Sequence, residues 1–136
     1  MFNRYSLSLK SALSVAAVVV ATVVVAGPAH AGKHCKNVYV SAVNLTQSKI
    51  KIIDLDYYDP AYQKWRSEPT PNQVIPAGRQ WQETRRLEKV NAKQTAIRIK
   101  YRKPKTKGFG KWSKVFTAYS TSQVCGKGSI YEVKLR

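Results

Sequence analysis

Short runs in which apolar and polar residues alternate recur along most of this chain, and they constrain its fold more than any other feature. The clearest run extends from Thr95 to Arg102 and places large apolar residues on one side and basic residues on the other. The two sets are Ile97, Ile99 and Tyr101 against Arg98, Lys100 and Arg102. A period of two residues is typical of a β-strand with one buried face. The pattern therefore predicts strands rather than helices.

Further extended segments follow at intervals of roughly ten residues, separated by turn residues. We predict strands at 36–45, 49–59, 64–68, 74–75, 79–90, 95–102, 111–119 and 130–135. The fifth of these also fits a short helix, but the surrounding period of two favours a strand. In the second, the apolar face passes from Ile50 and Ile52 to Ile53, Leu55 and Tyr57, which a β-bulge would explain. About seven or eight strands predict an all-β fold, namely a single small immunoglobulin-like β-sandwich or a small barrel.

The first 31 residues have the composition of a secretory signal peptide. Two basic residues precede an apolar run at 12–26, and Ala29-His30-Ala31 supplies the small residues at which such a peptide is cleaved. The run has 15 residues, whereas a transmembrane helix needs roughly 18 or more. We therefore predict cleavage after residue 31, one mature domain at 32–136 with no transmembrane segment, and a secreted or periplasmic location.

Cys35 and Cys125 are the two cysteines of the chain. In an oxidising compartment, two cysteines near opposite ends of one domain usually pair. The bond would close a loop of about 90 residues and stabilise the fold by roughly 4 kcal/mol, mainly by restricting the unfolded chain. A reactive or metal-bound thiol is the alternative, but the mature chain has one histidine and no third cysteine. We predict a structural disulfide.

Basic residues outnumber acidic ones by 24 to seven, which gives a formal net charge of +17. Loss of the two basic residues of the leader would leave +15. No acidic residue lies between Glu88 and Glu132, and most basic residues of this stretch fall in one predicted hairpin at 98–114. Its candidate polyanion-binding residues are Arg98, Lys100, Arg102, Lys103, Lys105, Lys107, Lys111 and Lys114.

Phe109 and Trp112 lie among these lysines. Basic residues interleaved with aromatic residues are typical of surfaces that bind polyanions. For an exported protein, the corresponding partners are lipopolysaccharide, teichoic acid, acidic polysaccharide or an anionic lipid surface, and nucleic acid is a less expected partner. The alternative is a solvated lysine-rich face that protects an edge strand and maintains solubility. We predict a non-catalytic binding module that contacts an anionic envelope component.

A second predicted surface is aromatic. Tyr58, Tyr62 and Trp65 fall within a tyrosine-rich segment at 57–65, which we interpret as a loop. Tyrosine and tryptophan are common anchors of protein interfaces. The alternative function is therefore a secreted protein-binding module of the inhibitor or adhesion type, with an acidic protein as its partner.

Two patterns suggest metal binding. Asp54, Asp56 and Asp59 are dense enough for a calcium site, but their spacing does not fit an EF-hand loop, and ion pairs with a neighbouring strand explain them equally well. Cleavage after residue 31 would expose Gly32-Lys33-His34, a terminus that can wrap Cu(II) or Ni(II) in a square plane. Neither pattern is specific, so we predict no metal and no other cofactor.

Candidate catalytic groups are few. His34 is the one histidine of the mature chain and adjoins the predicted disulfide, which excludes most histidine-based triads. A carboxylate pair for glycoside hydrolysis would draw on Glu68 near Trp65 and Glu83 near Trp81, because an aromatic wall can raise a carboxyl pKa. Ion pairs between these glutamates and nearby arginines are the simpler interpretation. We predict no enzymatic activity.

Overall fold

The computed structural model describes residues 34–70, 72–106 and 110–136. These residues contain ten β-strands and no helix, which confirms the all-β prediction, and hence no helix among them could span a membrane. The strands are β1 (His34–Asn44), β2 (Ile50–Asp59), β3 (Lys64–Glu68), β4 (Val74–Ile75), β5 (Gln80–Glu88), β6 (Gln94–Thr95), β7 (Ile97–Arg102), β8 (Phe116–Tyr119), β9 (Gln123–Val124) and β10 (Ile130–Leu135). The predicted signal peptide and its cleavage site lie outside the described residues.

Most of these strands belong to two sheets. The first sheet has the order β10-β1-β5, with β1 parallel to β10 and antiparallel to β5. The second sheet has the order β3-β2-β7-β8 with antiparallel neighbours, and β4 pairs with one end of β2. The short strands β6 and β9 form a separate antiparallel pair. The segment that also fitted a helix is strand β5.

Alternate residues of the two sheets meet in one hydrophobic core. The first sheet contributes Cys35, Val38, Val40, Ala42, Leu87, Tyr131, Val133 and Leu135, and the second contributes Ile50, Ile52, Leu55, Tyr57, Ile75, Ile97, Ile99 and Tyr101. Burying one large aliphatic or aromatic side chain contributes about 1.5–3 kcal/mol relative to leaving it exposed. The alternation that predicts the strands is therefore also what gives the domain its core.

Strand β2 contains the predicted bulge. Ile52 pairs with Tyr101 on β7, and Asp54 pairs with Lys100, so Ile53 has no partner on that strand. Ile52 is buried, whereas Ile53 is only half-buried. Ile53 is thus the inserted residue of the bulge, and our prediction that it begins the continued core face is wrong.

The bulge changes which residues of β2 face outward. Beyond it, Leu55 and Tyr57 point into the core, so that Asp54 and Asp56 lie on the outward face. Before it, Lys51 stands between two buried isoleucines and faces outward. Because of this one inserted residue, the outward positions of β2 are basic before the bulge and acidic after it.

Cys35 and Cys125 form the predicted disulfide. Their Cα atoms lie 6.1 Å apart, and both residues are fully buried. Cys35 belongs to β1 and Cys125 directly follows β9, so the bond joins the first strand to the segment that precedes the last.

The predicted strand at 111–119 is shorter than expected. Strand β8 begins only at Phe116 and pairs with β7. The earlier part of the segment forms a single bridge, between Pro104 and Trp112. Tyr101 pairs with Phe116 whereas Pro104 pairs with Trp112, so two residues at 102–103 face three at 113–115, and this extra residue interrupts the regular ladder.

Asn44 organises the turn between β1 and β2. Its buried side-chain Nδ2 donates to the carbonyl oxygens of Ser48 and Ile75, at 2.8 and 3.0 Å. Its Oδ1 accepts hydrogen bonds from the amide and the hydroxyl of Thr46, at 3.0 and 2.7 Å. These bonds fix the turn whose last residue is Lys49, and Lys49 lies beside the basic hairpin.

Candidate functional site

Beyond the bulge, the outward face of β2 and β7 carries paired charges. Lys100 Nζ lies 2.6 Å from Asp54 Oδ2 and 3.6 Å from Asp56 Oδ2. Arg98 Nε and Nη2 each lie 2.8 Å from Asp56 Oδ2. The hydrogen bond to Asp54 is the main reason why the pKa of Lys100 is raised. Arg98 and Lys100, which we predicted to bind a polyanion, are therefore engaged by acids of the neighbouring strand.

Before the bulge, the same face is basic. Arg102 lies directly opposite Lys51 in the register of β2 and β7. Neither side chain makes an ion pair with an acid among the described residues. Like charges at directly opposed positions destabilise a sheet. The sheet thus contains an unfavourable pair at the point where the basic hairpin begins.

All seven acidic residues of the chain lie in its described part, and six of them have a cation within 4.0 Å. None of these ion pairs lies at the end of the second sheet next to the hairpin, and that end carries no acid. We call this end the acid-free surface. Within the described ranges, it consists of Lys49, Lys51, Arg102, Lys103, Lys105, Lys111 and Lys114. Lys107 was also predicted to belong to it but lies outside the described residues.

Backbone hydrogen bonds join the two arms of the hairpin past the end of β7. The amide of Ser113 donates to the carbonyl of Lys103 at 2.8 Å, and the amide of Lys105 donates to the carbonyl of Lys111 at 2.9 Å. The hydroxyl of Ser113 also accepts a hydrogen bond from the amide of Lys103, at 3.0 Å. The lysines of both arms are therefore carried by paired backbone.

Phe116 positions two further lysines. Lys103 Nζ lies 4.9 Å and Lys114 Nζ 5.8 Å from the centroid of its ring, which stacks against Tyr101 at 5.6 Å. A cation–π contact at an exposed site contributes about 0.5–1 kcal/mol and leaves the positive charge in place. These two ammonium groups are thus oriented by an aromatic ring without being neutralised.

A cleft of about 390 Å³ opens beside the hairpin. The residues that line it are Lys49, Pro104, Lys105, Thr106, Gly110, Lys111 and Trp112. Its volume lies within the range of roughly 300–1,000 Å³ that is usual for small-ligand sites. The cleft combines three lysines with an aromatic side chain, and no acid is among these lining residues.

The predicted aromatic surface is not a loop. Tyr58 and Trp65 lie directly opposite each other on β2 and β3, and a turn at 60–63 joins the two strands. Trp65 contacts both Tyr58 and Tyr119, with ring centroids 5.4 and 5.6 Å apart, and the guanidinium of Arg98 lies 4.5 Å from its ring. This cluster therefore stabilises the outward face of the second sheet.

Tyr62, on that turn, is the most exposed residue of the predicted aromatic surface, at 59%. Lys64, Arg66 and Lys89 surround its ring, with cation-to-centroid distances of 5.3, 5.4 and 6.0 Å. Arg66 also bonds Asp59 at 2.6 Å, and this hydrogen bond is the main cause of the raised pKa of Arg66. The result is one exposed aromatic ring with a cationic rim.

The acids of the calcium alternative do not converge. Asp54 and Asp56 face outward from the second sheet, whereas Asp59 occupies the opposite parity of β2 and is fully buried. Among residues 34–70, 72–106 and 110–136, no group of three or more candidate ligands is placed to hold a metal ion. The ion-pair interpretation fits these acids. Of the proposed copper-binding terminus, only His34, the first residue of β1, is described.

Glu68 and Glu83, the candidate catalytic carboxylates, meet at one arginine. Arg85 Nη2 lies 2.9 Å from Glu83 Oε2, and Arg85 Nη1 lies 3.9 Å from Glu68 Oε2. Burial raises the pKa of Glu68, and the charge of Arg85 partly offsets this effect. An arginine between two carboxylates is the arrangement that we expect of structural ion pairs.

Comparisons of this chain with protein-family models, with curated proteins and with solved structures found no match.

Sequence reasoning missed Lys49 and Lys51 as members of the basic surface. Their alternation with Ile50 and Ile52 shows that they face outward, and this signal was available. The alternation does not show that β2 pairs with β7, which is what brings them next to the hairpin.

Proposed function

We propose that this protein is an exported, non-catalytic binding module that contacts an anionic component of the cell envelope through the acid-free surface. The observation that carries the proposal is the division of charge along β2 and β7. Acids neutralise the cations on one side of the bulge, and the cations on the other side lack acidic partners among the described residues. Lipopolysaccharide, teichoic acid, acidic polysaccharide and anionic lipid all present anionic groups that suit this surface.

Two properties of the protein, its net charge and one pair of opposed cations, favour binding over simple solubility. A net charge of about 2–8 is enough to keep a small domain in solution, whereas the mature chain would carry +15. The opposed pair Lys51 and Arg102 also reduces the stability of the sheet, and solubility gives no reason to retain it at that position. Clustered cations that lack acidic partners bind linear polyanions by releasing the counterions of the polymer.

We also propose that the two larger sheets form an immunoglobulin-like sandwich and that the domain is exported. One core shared by both sheets and a disulfide between β1 and the segment before β10 support the first statement. The disulfide and the leader sequence support the second. An experimental structure in which the sheets close into a barrel would contradict the sandwich, and a cytosolic location would contradict export.

A titration of the purified protein with dextran sulfate at physiological salt tests the proposed function. The variant Lys49/Lys105/Lys111→Gln removes three charges from the acid-free surface. The matched variant Lys36/Arg86/Lys127→Gln removes three exposed charges elsewhere. We expect the first variant to bind about tenfold more weakly, which is roughly 1.4 kcal/mol, and the matched variant to bind like the wild type. Equal binding by the two variants would contradict the proposal.

The cationic rim around Tyr62 favours a second candidate function, the binding of an acidic protein. An exposed aromatic ring among cations suits an acidic peptide surface. We expect Tyr62→Ala to weaken binding to poly-L-glutamate and to leave binding to dextran sulfate unchanged. If Tyr62→Ala binds poly-L-glutamate like the wild type, this second candidate is wrong.

A further inference from the structure

The cleft beside the hairpin has features that a flat basic surface lacks. Lys49 comes from the turn between β1 and β2, while Lys105 and Lys111 come from the two arms of the hairpin. Three lysines from separate segments of the chain therefore line one concavity. Trp112 supplies an aromatic wall, and Thr106 supplies a hydroxyl group.

The position of Trp112 distinguishes between two kinds of anionic ligand. Its side chain is half-buried, and its backbone forms the bridge to Pro104 that holds the hairpin arms together. A tryptophan that anchors a protein in a lipid surface projects its ring into the headgroup region. Trp112 instead lines a cleft, which favours a compact ligand that enters the cavity over a bilayer that lies across it.

We propose that this cleft binds one phosphorylated sugar unit of an anionic envelope glycan. The C–H groups on one face of the sugar ring pack against the indole of Trp112, as weak hydrogen bonds to an aromatic face. The phosphate accepts charge-assisted hydrogen bonds from the lysines that line the cleft. This inference rests on the proposed function, since it specifies which anionic ligand the acid-free surface selects.

The test compares polymers that share their charge and differ in the presence of a sugar. Phosphorylated dextran and linear inorganic polyphosphate, matched in number of phosphates, are titrated into the purified protein at physiological salt. We expect about tenfold tighter binding of phosphorylated dextran, or roughly 1.4 kcal/mol. Trp112→Ala should abolish this preference, whereas Trp112→Phe should retain most of it.

A second measurement does not depend on a variant that folds. Glucose 6-phosphate should displace phosphorylated dextran from the wild type at lower concentration than inorganic phosphate does, at equal ionic strength. Equal displacement, equal binding of the two polymers, or tighter binding of phosphatidylglycerol vesicles than of phosphorylated dextran would overturn this inference. In all three cases the proposed function survives, because it includes anionic lipids among its ligands. If the wild type binds none of these anions, the proposed function fails as well.

Discussion

Among single residues, Asp56 shows most clearly how some cations of the sheet are paired with acids while others remain available to a ligand. Its side chain is only 3% exposed and accepts hydrogen bonds from Arg98 and from the hydroxyl of Ser67, the latter at 2.9 Å. A buried carboxylate is tolerated when it is paired and hydrogen-bonded. Asp56 therefore holds Arg98 in an ion pair within the sheet, so that Arg98 is not available to a ligand.

Replacing Asp56 by Asn should lower the free energy of unfolding by about 3 kcal/mol, because it breaks a buried ion pair and leaves Arg98 without its partner. Asp54→Asn is the matched control. Its carboxylate is 26% exposed, so we expect a loss below about 1 kcal/mol. Urea denaturation of both variants measures the difference. Equal losses of unfolding free energy in the two variants would show that the buried Asp56 contributes no more to stability than the more exposed Asp54.

Glu68 connects the stability of the domain to pH. Burial is the main cause of its raised pKa, with Arg85 acting in the opposite direction. A raised carboxyl pKa means that the folded chain binds this proton more tightly. The corresponding stability is present at low pH and is lost as the pH rises through the folded pKa. We expect Glu68→Gln to gain stability relative to the wild type between about pH 4 and about pH 7. Urea denaturation at both values would refute this if the stability of Glu68→Gln relative to the wild type stayed constant or fell between the lower and the higher pH.

At the scale of elements, the bulge in β2 separates the paired charges from the acid-free surface. The change of parity around Ile53 predicts the bulge, because parity depends on one strand alone. Which cations are paired with acids on either side of the bulge depends on the pairing of β2 with β7, and no local sequence pattern encodes that pairing. For the same reason, the cleft could not be predicted, since Lys49 is distant in sequence from Lys105 and Lys111.

The opposed pair Lys51 and Arg102 allows stability and binding to be separated. Lys51→Glu places a carboxylate opposite Arg102 and should raise the free energy of unfolding by about 0.5 kcal/mol. The same variant should weaken the binding of dextran sulfate, because it introduces an acid into the acid-free surface. Lys36→Glu, an exposed position on β1, is the control for the change in net charge. A variant at Lys51 that is less stable, or that binds no more weakly than Lys36→Glu, would argue against a functional role for this pair.

At the scale of the whole molecule, the disulfide ties together parts of the chain that are 90 residues apart. Cys35→Ser/Cys125→Ser should lower the free energy of unfolding by about 4 kcal/mol, since the unfolded chain is no longer restricted. Urea denaturation of the wild type, with and without a reductant, gives an independent estimate. A loss below about 1 kcal/mol would mean that the core alone stabilises the fold.

The sequence predicts the architecture of this molecule better than its surface. Alternating residues predict the strands because the alternation is a local pattern. Two cysteines predict one disulfide because they can pair within the chain in only one way. The uneven distribution of basic residues predicts that a basic surface exists. It does not predict that Arg98 and Lys100 are paired and that Lys51 and Arg102 are not, because those outcomes depend on the register between two strands.

The salt dependence of binding tests most directly whether the acid-free surface is a polyanion site. For a flexible polyanion, the logarithm of the binding constant falls with the logarithm of the salt concentration by about 0.7 for each anionic group contacted. We expect Lys49/Lys105/Lys111→Gln to reduce this slope for polyphosphate by about two, and Lys36/Arg86/Lys127→Gln to leave it unchanged. Equal slopes for these two variants would show that the net charge of the protein, and not this surface, binds the polymer.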